Sequence, residues 1–101
     1  MESRLELQTL LEEILGSANV YYQPPESVKM SYPAIIYSLK NMKNNFANNS
    51  VYTQYTDYEI IVIDKDPDSV IVSKISKLPM CMFDRHYASD NLNHTVFTLS
   101  Y

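Results

Sequence analysis

Apolar positions near the start of the chain recur at helical spacing. Leu7, Leu10, Leu11, Ile14 and Leu15 fall on one side, with Glu6, Glu12 and Glu13 around the rest. Gly16, the only glycine in the chain, follows at the place where a left-handed residue ends a helix. The pattern predicts a helix over residues 3–15. From Ser17 to Tyr32 the periodicity breaks, with Pro24-Pro25 inside the stretch and Pro33 after it. Prolines remove backbone donors and bias the preceding residue toward extended geometry, so an extended connector is expected here. Ala34 to Lys40 (AIIYSLK) then reads as a strand, opened by Pro33.

Five of the ten residues from Asn41 to Ser50 are Asn. Asn tolerates left-handed backbone and bonds its own main chain, which predicts a turn or mobile loop between strands. Val51 to Lys65 is the strongest β segment. Tyr52, Tyr58, Ile60 and Val62 alternate on one face, and Val51, Tyr55, Ile61 and Ile63 on the other. Its first half is polar and tyrosine-rich, while IIVI is apolar on both faces. That asymmetry predicts one long strand whose end is buried in a sheet and whose start projects from it.

Asp66 suits an N-cap, Pro67 the first helical position and Asp68 the positive end of a helix. Ile71, Ile75 and Leu78 form a stripe flanked by Val70, with Lys74 and Lys77 toward the far end and Pro79 as the stop. These signals outweigh the β-branched VIV run and predict a second helix over residues 67–78. Met80 to Tyr87 and Asn93 to Tyr101 are extended runs joined by ASDNL, where Asp90-Asn91 can turn without glycine. On the last strand Val96 points opposite to Phe97 and Leu99. The expected fold is α+β, one domain over residues 1–101. Its sheet would be four-stranded, mostly antiparallel or mixed, and flanked by two helices in the order α-β-β-α-β-β.

Composition narrows the picture. The apolar fraction of 46% and charged fraction of 20% are those of a folded globular chain. With 101 residues, a lone domain covers only about 60–70% of its potential surface, so contact with sister subunits would add stability. Nine Tyr against three Phe and no Trp favour strands and half-wet interfaces alike. The net charge of −4, with scattered Lys and Arg, offers no basic stripe for phosphates. Neither a cleavable leader nor a membrane-length apolar run is read in the chain, so synthesis and folding in a cytoplasm are expected. Cys81, the single cysteine, excludes an intrachain disulfide; Met80, Met82 and Phe83 around it predict a packed thiol.

Candidate chemistry is thin. Asp84, Arg85, His86, Asp90 and His94 crowd the final hairpin, where two His and two Asp could hold zinc if they converged; solvated turn polarity is the simpler reading. Cys81 and His86 lie five apart on one strand, which puts them on opposite faces and forbids a thiol–imidazole pair. Asp57, Glu59 and Lys65 lack the acid-x-Lys spacing of a metal-dependent nuclease. No P-loop, GxGxxG or GxSxG motif occurs. No catalytic residue, metal or cofactor is expected.

Three segments together resemble a known family. VYYQPPESVKMSYPAIIYSLK, YTQYTDYEIIVIDKDPDS and YASDNLNHTVFTLSY are similar, in order, to parts of the tail terminator (tail completion) proteins of long-tailed bacteriophages and prophages of Gram-positive hosts. They correspond to the lead into the first strand, the long second strand with its acidic-proline helix start, and the closing hairpin. The resemblance implies a non-enzymatic virion protein at the head-proximal end of the tail. There it would form a ring, typically six-fold, that caps the tail tube and stops its growth. Its partners would be itself, the major tail tube protein and head-connector proteins, with DNA passing through without sequence-specific binding and no membrane involved. The Tyr-rich outer strand (Tyr52, Tyr55, Tyr58) and the Asn-rich loop (Lys43, Asn44, Asn45, Phe46) are the expected contact residues. A head–tail connector or head-completion protein is the nearest rival, and a small metal enzyme built on Asp84, His86, Asp90 and His94 a distant one.

Overall fold

The computed structural model describes residues 4–25, 29–47 and 50–101; for residue 43 and for 45–47 and 50–55 it describes the backbone alone. Helix α1 (Arg4–Leu15) buries Leu7 and Leu11 completely. It stops where expected: Gly16 takes φ +80 and donates its N–H to Glu12 O at 2.9 Å. Strands β1 (Val20–Tyr22), β2 (Ala34–Ala47) and β3 (Ser50–Asp64) follow, then helix α2 (Val70–Ser76) and strands β4 (Cys81–Ser89) and β5 (Leu92–Ser100).

The sheet corrects the expected architecture. It is five-stranded and mixed, in the order β1-β2-β3-β5-β4, where four strands were expected. The added strand is β1, inside the stretch read as a connector; it runs parallel to β2 with Val20 opposite Ile35 and Tyr22 opposite Tyr37. Three residues are too few to show a period-two pattern, and only docking beside β2 makes them a strand. The remaining pairs, β2–β3, β3–β5 and β4–β5, are antiparallel.

The Asn-rich segment is likewise a strand and not a loop as far as Ala47. Lys43 lies opposite Tyr55, Asn45 opposite Thr53, and Ala47 opposite Ser50. Asn has a weak strand preference that pairing with the β-prone stretch from Ser50 overrides. Helix α2 begins at Val70, later than the expected 67, with Ser69 as its N-cap. The aspartates are used differently: Asp64 Oδ1 accepts from Asp66 N–H at 3.1 Å, and Asp66 Oδ1 from Asp68 N–H at 2.9 Å. These two local turns spend the carboxylates before a helix can start.

Both helices lie on one face of the sheet. Leu7 and Leu11 of α1 and Ile75 of α2 pack on Ile35, Tyr37, Tyr58, Ile60, Val62, Phe97 and Leu99. Tyr37 is fully buried, and its hydroxyl is satisfied inside the core: it donates to Gln8 Oε1 and accepts from Arg4 Nη1 at 3.2 Å. Gln8 Nε2 donates in turn to Val20 O at 3.1 Å, and the Arg4 guanidinium lies 4.7 Å from the Tyr22 ring centre. This network fixes α1 against β1 and β2. The opposite face carries Ile36, Ile61 and Val96 side by side across three strands. Lys40 Nζ reaches Thr98 Oγ1 at 2.9 Å there, and Arg85 reaches Glu59 at 3.7 Å, so long stems lie over that strip.

The β4–β5 turn follows the sequence reading. Asp90 and Asn91 have φ of 53 and 64, both left-handed, as a tight two-residue hairpin requires.

Candidate assembly surface

The β2–β3 pair is longer than the sheet that holds it. Strand β5 accompanies β3 only from Asp57 to Asp64, while β2 accompanies it from Ile63 out to Ser50. On the other side β1 covers only Ile35 to Tyr37 of β2. Beyond Thr56 the pair is therefore a two-stranded ribbon with neither side joined to a third described strand. The molecule is correspondingly elongated, 51 × 24 × 23 Å. A long strand with a buried end and a projecting start is what the polarity of residues 51–65 anticipates.

The expected contact residues divide between ribbon and core. The backbones of Lys43, Asn44, Asn45, Phe46 and Tyr55 lie in the ribbon, and a register shift between Asn45 and Phe46 falls opposite Tyr52. Asn44 is exposed; the side chains of Lys43, Asn45, Phe46, Tyr52 and Tyr55 lie outside the described residues. Tyr58 is elsewhere. It is 7% exposed, sits opposite Leu99, and its ring centre is 6.1 Å from that of Tyr37. It shares the tyrosine run with Tyr52 and Tyr55, but the sheet closes over it. Leu39 and Met42, exposed at the root of the ribbon, escaped notice because both sit inside or beside stretches read as strand interior or loop.

A second open surface is β4. It forms one edge of the sheet, and every residue after Cys81 is exposed. Cys81 itself packs partly against the core, and burial pushes its thiol above the usual range. Its neighbours Met80, Met82 and Phe83 are exposed, so the thiol is packed by the sheet and not by them. The signal for an open edge was present as four consecutive apolar residues from Met80, a run with no polar face.

The hairpin polar residues do not assemble into a site. Asp84 pairs with Arg85 at 2.9 Å, His94 stacks on Tyr87 with ring centres 4.7 Å apart, and His86 points to the helix-bearing face opposite Thr95. Among the described residues no group of three or more His, Cys, Asp or Glu comes together as a metal site. A bulge at Asp84 also overturns the opposite-face argument for Cys81 and His86: they face Leu99 and Thr95, which share a face. Four positions along β5 still hold them about 13 Å apart, too far for a thiol–imidazole pair.

A cleft of about 420 Å³ lies between the start of α2 and β4–β5, lined in part by Asp66, Ser69, Val72, Phe83, His86 and Thr95. Ser69 Oγ is buried there without a hydrogen-bond partner. Among the described residues no helix is long and apolar enough to cross a membrane. The chain matches no known protein-family model, and no curated protein matches it in sequence.

Proposed function

We propose that this chain is a structural assembly subunit, and that its assembly is the ring that caps the tail tube of a long-tailed phage. The observation that carries the reading is the two-stranded ribbon beyond Thr56. Such a ribbon is marginal in water by itself and gains stability when a partner surface covers it. The three segment resemblances name the kind of assembly. In this reading the ribbon reaches a neighbouring subunit or the end of the tube, and heterologous contacts close into a ring. The finished ring stops tube growth, meets the head connector, and lets DNA pass through a channel lined by acidic subunits of net charge −4. The work is done by surfaces, and the protein resides in the virion tail.

Purified protein mixed with tail tubes, followed by sedimentation and electron microscopy, tests the reading. Rings seated on tube ends are expected, and virions lacking the protein should carry abnormally long tubes. A chain that binds neither tubes nor heads sinks it.

A further inference from the structure

We infer that β4 is a docking strand for a second copy of this chain, pairing antiparallel to β4 of that copy about a two-fold axis. Two of the usual edge safeguards are missing: no Lys and no Pro occurs from Cys81 to Ser89. It also carries large apolar side chains in the open, with Met80 66%, Met82 70%, Phe83 62% and Tyr87 40% exposed. Beyond β5 no described strand takes its outward backbone groups.

The occupant is identified by self-complementarity. The bulge between Phe83 and Arg85 shifts the alternation, so Cys81, Phe83, His86 and Ala88 share the helix-bearing face, opposite Leu99, Phe97, Thr95 and Asn93. Met82, Arg85 and Tyr87 share the other, opposite Thr98, Val96 and His94. Two copies paired about the Asp84–Arg85 peptide then match face to face at each pair. Phe83 meets His86, Met82 meets Tyr87, and Cys81 meets Ala88. Asp84 of each copy lies opposite Arg85 of the other, so unlike charges fix the register. Without the bulge, this register would set helix-side residues against open-side ones. Bulge and charges, which elsewhere blunt an edge, here sit at the centre of the match. The result is one continuous sheet through both copies, an isologous contact. A ring needs heterologous contacts, so this pairing and the ring reading stand or fall separately.

The test uses the full chain and needs no tail tubes. Ala88→Cys places a thiol opposite the native Cys81 of the second copy, and mild oxidation should give a covalent dimer. Tyr87→Cys, on the other face, should give little. Sedimentation should show dimers, with Asp84→Arg weakening them about tenfold through the like charges it opposes. The exchange Asp84→Arg with Arg85→Asp should restore them. All altered side chains are exposed, and the half-buried Cys81 is left as it is, so circular dichroism should stay the same. Monomers up to millimolar concentration, equal cross-linking of the two cysteine variants, or no rescue by the exchange would each overturn the inference.

Discussion

The inner and outer halves of the β2–β3 pair are continuous in backbone and opposite in circumstance. From Asp57 inward, β3 lies between β2 and β5 with α1 and α2 above it; Ile60 and Val62 are fully buried. Thr56 O still accepts from Tyr101 N–H at 2.9 Å, and beyond it the same two strands run on with no third described strand beside them. The inner half is held by side chains that exclude water; the outer half, as far as it is described, is a ladder of backbone hydrogen bonds that water can replace. Stability should therefore be concentrated inside, and whatever the outer half contributes should appear when a partner is present.

The largest effect expected from this contrast is at Ile60, opposite Tyr37 on one side and Phe97 on the other. Ile60→Ala should cost about 2–5 kcal/mol in denaturant unfolding, since the close-packed site cannot collapse fully. Next is Tyr37→Phe, which removes the hydroxyl between Arg4 and Gln8 and leaves a half-buried Gln8 oxygen without this donor. A loss of about 1–2 kcal/mol is expected.

Tyr37 also gives the inner half a pH dependence. Burial raises its pKa, partly offset by the Arg4 hydrogen bond, and burial with nearby Tyr22 and Tyr37 raises that of Tyr58. The folded state thus holds these protons more tightly than the unfolded chain, whose tyrosines titrate at about 10. Their contribution is complete below that pH and is lost as the pH climbs through the folded values. Unfolding midpoints on either side of pH 10 should fall with rising pH, and Tyr37→Phe should flatten the decline.

The smallest effects belong to the outer half. Met42→Ser, at an exposed position, should change stability by no more than about 0.5 kcal/mol. A sharper version excises residues 43–55 and joins Met42 to Thr56, which face each other across the pair, through Asn-Gly. The shortened protein should melt close to the parent and lose binding to tail tubes. A melting point that collapses with the excision would mean that the two halves are one cooperative unit.

Much of the secondary structure was legible in the chain. Helix α1 and its end at Gly16 follow from a leucine stripe and a residue that takes positive φ freely. The β4–β5 turn follows from Asp90-Asn91, and the two characters of β3 from the change between YTQYTDY and EIIVI. These features are local, and local rules fix them. Of the residues expected to make contacts, the projecting position of Tyr52 and Tyr55 was legible in outline; the Asn-rich stretch was read as a loop and is strand, and Tyr58, grouped with the same tyrosine run, is core.

What the sequence determined by itself is a set of segments with preferred conformations and an α+β composition. Tertiary structure decided three other matters, each through a pairing partner outside the segment itself. Val20–Tyr22 became a strand because β2 offers an edge; Asn41–Ala47 became one because a β-prone partner lies alongside; β4 became an edge because β5 returns between it and β3. The bulge at Asp84, visible only in the β4–β5 register, reassigns the faces of that edge. A strand's neighbours are set by the burial of the whole sheet, which no short window of residues contains.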